Sequence, residues 1–203
     1  FFTTRYGVVK RTSVTEFANI RQNGLKALNL KDEDELINVF LTDGQTDIII
    51  GTKMGYAVRF NENQVRNMGR AATGVRGVNL RQDDHVVGAS VISDNQEVLV
   101  ITEKGYGKRT LASEYATKGR GGKGMKTANI TEKNGPLAGL MAVNGDEDLM
   151  IITNTGVIIR TNVANISQTG RATLGVKVMR LDKGAQIVTF TSVEAENEKE
   201  VDE

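Results

Sequence analysis

Four times in 203 residues, a strand-like apolar run reaches a threonine, turns through a glycine three positions later, and resumes toward an arginine. The segments are "FFTTRYGVVKRT", "IIGTKMGYAVRF", "VLVITEKGYGKRT" and "LMIITNTGVIIRT". Their glycines, Gly7, Gly55, Gly105 and Gly156, are 48, 50 and 51 residues apart. Thr4, Thr52, Thr102 and Thr153 precede them, and Arg11, Arg59, Arg109 and Arg160 follow. A period near fifty constrains the architecture more than any composition does, because such a unit must be completed by its neighbours. Locally each segment reads as a β-hairpin, with the glycine supplying the positive φ of a short loop.

A second glycine follows each hairpin. Gly24, Gly74, Gly124 and Gly175 open "GLKALNL", "GVRGVNL", "GMKTANI" and "GVKVMRL", each a candidate short strand. A turn comes next, acidic in three repeats and "TEKNG" in the third, and then a fourth apolar run. That last run reads "LINVF", "VVGASVI", "LAGLMAV" or "IVTF". Apolar runs without strict alternation predict strands buried on both faces. Four strands per fifty residues, with no convincing helix, predict an all-β, propeller-like disc of four-stranded blades. The repeats fall at about 1–47, 48–97, 98–148 and 149–193.

Composition narrows the chemistry. There is no cysteine and one histidine, His85, so thiolate metal sites and His-based triads are disfavoured. No apolar stretch is long enough to span a membrane and no secretory leader is recognisable, which predicts a cytoplasmic location. A start within an apolar run suggests a piece of a longer chain. The last ten residues, "EAENEKEVDE", carry six acids and one lysine, a net −5; the whole chain is +1, so the body is +6. Residues 194–203 are expected to be a disordered acidic tail.

The basic residues ride on the repeat. Lysine and arginine make up 26 of 203 residues, yet three columns are basic at eleven of twelve places. One is Arg11, Arg59, Arg109 and Arg160; the second is Lys26, Arg76, Lys126 and Lys177; the third is Arg70, Arg120 and Arg171, with Ile20 in the first repeat. A radial fold returns each column to one rim, so the cations predict a band for a polyanion. Charges at strand ends can also simply solvate a rim, and that reading stands beside the first.

The stretch "KGRGGKGMKT", residues 118–127, belongs to this pattern. It contains G-x-G-x-x-G at Gly119, Gly121 and Gly124, but a strand follows where a dinucleotide fold needs a helix. Met125 separates Gly124 from Lys126, which removes a Walker loop. The stretch reads instead as a glycine-rich loop bringing Lys118, Arg120, Lys123 and Lys126 close to a phosphate backbone. Lys108, beside Arg109, completes the predicted DNA-binding set.

These motifs, with the "GRA..G" segments and the acidic tail, closely resemble the C-terminal domain family of DNA gyrase A over essentially the whole chain. The resemblance implies a β-pinwheel, a disc with strands exchanged between blades, here about four blades of a six-bladed fold. The family's Q-R-R-G-G-[K/R]-G box would lie upstream, and "KGRGGKG" at 118–124 is a degenerate copy of it. The related domain of topoisomerase IV is a weaker match. The implied function is to wrap duplex DNA by its phosphates so that the holoenzyme introduces negative supercoils. The implied partners are the rest of the gyrase A polypeptide and the gyrase B polypeptide. No cofactor is expected in this chain; ATP and Mg would serve the holoenzyme. The isolated domain is expected to be a monomer, and Tyr6, Tyr56, Tyr106 and Tyr115 are not expected to be nucleophiles. Two other classes remain: a propeller binding an acidic protein, and a propeller enzyme, for which no convergent acid, histidine or metal constellation exists.

Overall fold

In the computed structural model, which describes residues 1–195, the hairpins form where the glycines predict them. The N–H of Gly7, Gly55, Gly105 and Gly156 donates to the carbonyl of the threonine three positions earlier at 3.0 to 3.1 Å. These glycines have φ between +76° and +83°, the left-handed region where a Cβ is costly. The hydroxyls of Thr4, Thr102 and Thr153 accept from the N–H four positions on, at 3.1 to 3.2 Å, which locks the loop.

The first repeat contributes β1 (Phe2–Thr4), β2 (Val8–Lys10) and β3 (Leu36–Val39). The second contributes β4 (Asp47–Thr52), β5 (Tyr56–Asn61), β6 (Val75–Arg76) and β7 (Val86–Ile92). The third contributes β8 (Glu97–Thr102), β9 (Tyr106–Leu111), β10 (Met125–Lys126) and β11 (Leu137–Val143). The fourth contributes β12 (Asp148–Thr153), β13 (Ile158–Asn162), β14 (Val176–Lys177) and β15 (Ile187–Val193). The sheets run β3-β1-β2-β6, β7-β4-β5-β10, β11-β8-β9-β14 and β15-β12-β13, and every pairing within them is antiparallel.

A sheet is therefore not one repeat. Each of the first three takes three strands from its own repeat and its outermost strand from the next. The short strand after the second glycine crosses the seam, with Val75 opposite Val9, Met125 opposite Ala57 and Val176 opposite Gly107. This is the strand exchange that the resemblance implied. The expectation of a strand at "GLKALNL" is corrected: residues 24–30 form none, and among the described residues no hairpin strand pairs with them.

Crossing requires close backbone approach. Cβ atoms on Gly74, Gly124 and Gly175 would lie 2.4 to 2.7 Å from a carbonyl oxygen of the preceding hairpin, whereas one on Gly24 would meet open space. The core is correspondingly divided among seams. Ile48 and Ile50 pack with Phe1 and Val9 of the first repeat, and Ile49 faces Leu137 and Leu140 of the third. Leu99 and Ile101 join Leu149 and Ile151 at the last seam. Two-faced burial follows from this alternation; each such side chain contributes about 1.5–3 kcal/mol on leaving water. β3, β7, β11 and β15 pack in succession, and Asn38, Ser90, Met141 and Thr189 line one axial cavity, so the blades surround a common axis.

Candidate nucleic-acid interface

The three basic columns part company in the folded chain. Of the hairpin arginines, Arg59 and Arg109 are turned into the seams, Arg11 is half-buried at one, and Arg160 is exposed. Arg59 is 6% exposed and binds Asp47 at 2.9 Å, Asp94 at 2.7 Å, and the carbonyls of Ala112 and Tyr115 in the next repeat. Arg109 pairs with Glu97 and donates to the carbonyl of Ile166 at 2.7 Å. Arg11 reaches Glu62 and Asn63 of the second repeat at 3.3 and 3.2 Å. Arg160 binds Asp148 at 2.8 Å and the Glu194 carbonyl at 2.9 Å. The backbone follows suit: carbonyls of Arg11, Arg59 and Arg109 each accept an N–H from the next repeat at 2.8 Å.

The expectation that this column stands on an outer rim is thus corrected for Arg59 and Arg109, whose guanidiniums are taken up by carboxylates of their own repeat and carbonyls across a seam. A carboxylate twelve residues before the arginine (Asp47, Glu97, Asp148) was the signal in the sequence that could have shown it. Opposite strand positions two apart bring the two together. Lys108 is corrected too. It is 1% exposed, and its ammonium donates to the carbonyls of Gly170, at 2.6 Å, and Arg171. Burial, only partly countered by Glu114 and reinforced by Arg171, lowers its pKa to about 8.

The other two columns come together at the surface. The guanidinium of Arg120 donates to the carbonyl of Arg76 at 2.9 Å, and that of Arg171 to the carbonyl of Lys126 at 3.1 Å. Arg70 stands 3.5 Å from the carbonyl of Lys26 in the same relation. Each arginine of a "GR" loop thus rests on the backbone of the basic residue that follows the second glycine of the preceding repeat. Arg76 and Lys126 lie on exchanged strands, the outermost of their sheets, and their side chains are exposed. Lys177 occupies the same position on β14, its ammonium 4.5 Å from the Tyr106 ring centroid. Lys118 and Lys123 are exposed in the central loop, which Gln64 anchors by accepting the Arg120 N–H at 2.8 Å. Sequence reasoning missed Gln64 and its counterpart Glu114, which accepts the Arg171 N–H at 3.2 Å.

The remaining singled-out residues have structural surroundings. Tyr115 is buried, with its hydroxyl 2.5 Å from that of Thr127, and burial raises its pKa. Tyr56 lies under the Arg81 guanidinium, 3.3 Å from its centroid, while Tyr6 is exposed. His85 is half-buried, and burial together with Arg5 and Lys53 lowers its pKa. Among the described residues no three metal-ligating side chains cluster, and no helix is long and apolar enough to cross a membrane. Of the acidic tail, 196–203 lie outside the described residues.

The profile described as "DNA gyrase C-terminal domain, beta-propeller" matches residues 1–43, 46–93, 96–144 and 147–194. The chain belongs to the DNA gyrase C-terminal domain family. It is 79% identical over 201 residues to the DNA gyrase A protein of Streptococcus pneumoniae, covering 99% of this chain and 24% of that protein. The DNA gyrase A protein of Halalkalibacterium halodurans is 61% identical over 203 residues, again over 24% of its length. The chain thus spans about a quarter of these relatives. Among solved structures, the C-terminal domain of DNA topoisomerase IV superposes with TM-score 0.90 at 28% identity, over 95% of this chain and 61% of that one. A DNA gyrase A C-terminal domain gives 0.85 at 26%, over 94% and 64%. Both superpose over most of this chain, and the high sequence identity is to the gyrase relatives.

Proposed function

We propose that this gyrase-family domain binds duplex DNA by its phosphates along the outer seams and bends it, serving as a non-catalytic wrapping module. In the holoenzyme it would present the wrapped segment for ATP-dependent negative supercoiling, with ATP and Mg bound elsewhere and gyrase B among its partners. The observation that carries this reading is the meeting of basic residues at successive seams: exposed Lys26, Arg76 and Lys126, each with Arg70, Arg120 or Arg171 of the next repeat, of which Arg70 and Arg171 are half-buried. Each pair is presented through backbone carbonyls. Cations gathered along one edge raise the local positive potential, which a phosphate backbone neutralises.

Such contacts read no sequence. Bending a short duplex costs on the order of several kcal/mol, which many modest contacts must offset. With about five of these residues on phosphates, log K should fall against log salt with a slope near −4 to −5. The test reverses three exposed charges together, Arg76→Glu, Lys126→Glu and Lys177→Glu, and measures duplex affinity and ligation closure at low salt. Affinity should drop more than about tenfold and the slope should become shallower by about 3. Unchanged affinity and closure in a folded triple variant would overturn the reading.

A further inference from the structure

Two lysines buried in the seams have no part in the contacts just described, yet both touch the loops that make them. Lys10 is 0% exposed, and its ammonium donates to the carbonyls of Ala27, at 2.5 Å, and Arg70. Lys108 does the same under the last seam, to Gly170 and Arg171. The register makes them equivalent: Lys10 faces Phe2, Lys108 faces Val100, and the matching positions are Val58 opposite Ile50 and Ile159 opposite Ile151. Burying an ammonium is expensive unless it is well bonded, so an apolar residue would be the default choice here. The second repeat uses one, Val58, and there Gln64 holds Arg120 through both its side chain and its carbonyl.

We infer that Lys10 and Lys108 are positioning residues for DNA binding, fixing the backbone of the "GR" loops so that Arg70 and Arg171 stand beside Lys26 and Lys126. The carbonyl that Lys108 holds belongs to Arg171 itself, and the Arg171 guanidinium reaches the Lys126 carbonyl 3.1 Å away. One ammonium therefore fixes the root of a side chain whose far end rests on the exchanged strand. Two charged groups face Lys108 from the neighbouring segments: Glu114, which favours its charge, and Arg171, which opposes it. The cation supplies geometry, since it is itself out of reach of any DNA.

The inference rests on the DNA-binding reading, and the experiment separates the two. Duplex affinity is measured from low to moderate salt for Lys108→Met, Lys10→Met, Arg171→Ala and Arg120→Ala, alongside thermal unfolding. Lys108→Met should fold, as Val58 does in the second repeat. It should lose about threefold to tenfold in affinity and about one unit of salt slope, close to the effect of Arg171→Ala. Parent-like binding by Lys108→Met and Lys10→Met, with Arg171→Ala and Arg120→Ala impaired, would overturn the positioning role and leave the DNA reading intact. Parent-like binding by both arginine variants would instead overturn the DNA contacts. Should the lysine variants not fold, the parent protein carries the test. The Arg171 Nε resonance should shift as Lys108 titrates, and its constancy through that titration would overturn the inference.

Discussion

Arg59 and Arg76 carry the same charge at repeat-linked positions, and their surroundings give them different work. Arg59 is enclosed by Asp47, Asp94 and two carbonyls. Removing it strands buried acceptors, so Arg59→Met should cost about 3 kcal/mol in urea unfolding while leaving the exposed contacts in place. Glu62 is its acidic counterpart. Burial works to raise its pKa, but hydrogen bonds from Thr42, the Thr46 and Gly44 N–H groups and Arg11 prevail, and the carboxyl titrates below its usual range. Its folded pKa being depressed, it adds stability above the ordinary glutamate value of 4.5, and this is lost as pH falls through the folded pKa. Glu62→Gln should flatten that acid limb of a stability–pH profile. Lys108 gives a dependence of the same sign in an alkaline window. With a folded pKa of about 8 against 10.5 unfolded, the unfolded chain binds more protons between those values, so stability should rise with pH there. That rise should be smaller in Lys108→Met.

Elements owe their positions to glycine. The hairpins were legible because a turn is local, and the positive φ of Gly7 or Gly105 depends on its own four residues. Strand exchange was not legible in the residues: Val75, Met125 and Val176 pair with hairpins some seventy residues earlier, and an isolated repeat would show the same pattern if it kept its strand. Comparing two glycines tests the exchange. Gly24 and Gly175 have φ of +74° and +81°, but only Gly175 has a carbonyl, that of Gly107, 2.7 Å from where a Cβ would stand. Gly24→Ala should cost about 1–2 kcal/mol from backbone strain alone. Gly175→Ala adds steric displacement of β14 and should cost at least about 1 kcal/mol more. Equal losses in thermal unfolding would argue against tight seam packing.

At the scale of the molecule, stability resides between repeats. The same position shows it: Leu36 is 44% exposed, whereas its equivalents Val86 and Leu137, packed in clusters with the repeat before their own, are 1% and 0% exposed. Leu137→Ala should therefore cost about 3 kcal/mol and Leu36→Ala less than about 1. At the other end Ile158 is 54% exposed, where its equivalents Val9 and Ala57 are fully buried. Nearest-neighbour stacking of this kind makes each seam a separate contribution.

By itself the amino-acid order determined the period, the hairpins, the burial of both strand faces and the recurrence of cations, since each depends on residues close together in the chain. Which cations reach solvent was decided by tertiary structure alone. In the arginine column Arg11, Arg59 and Arg109 meet carboxylates and, for the last two, carbonyls across a seam, and in the short-strand column Arg76, Lys126 and Lys177 are carried to the outermost edge by exchange. Both columns repeat at the same interval with the same charge, so periodicity cannot separate them; the partners contributed by the next repeat do.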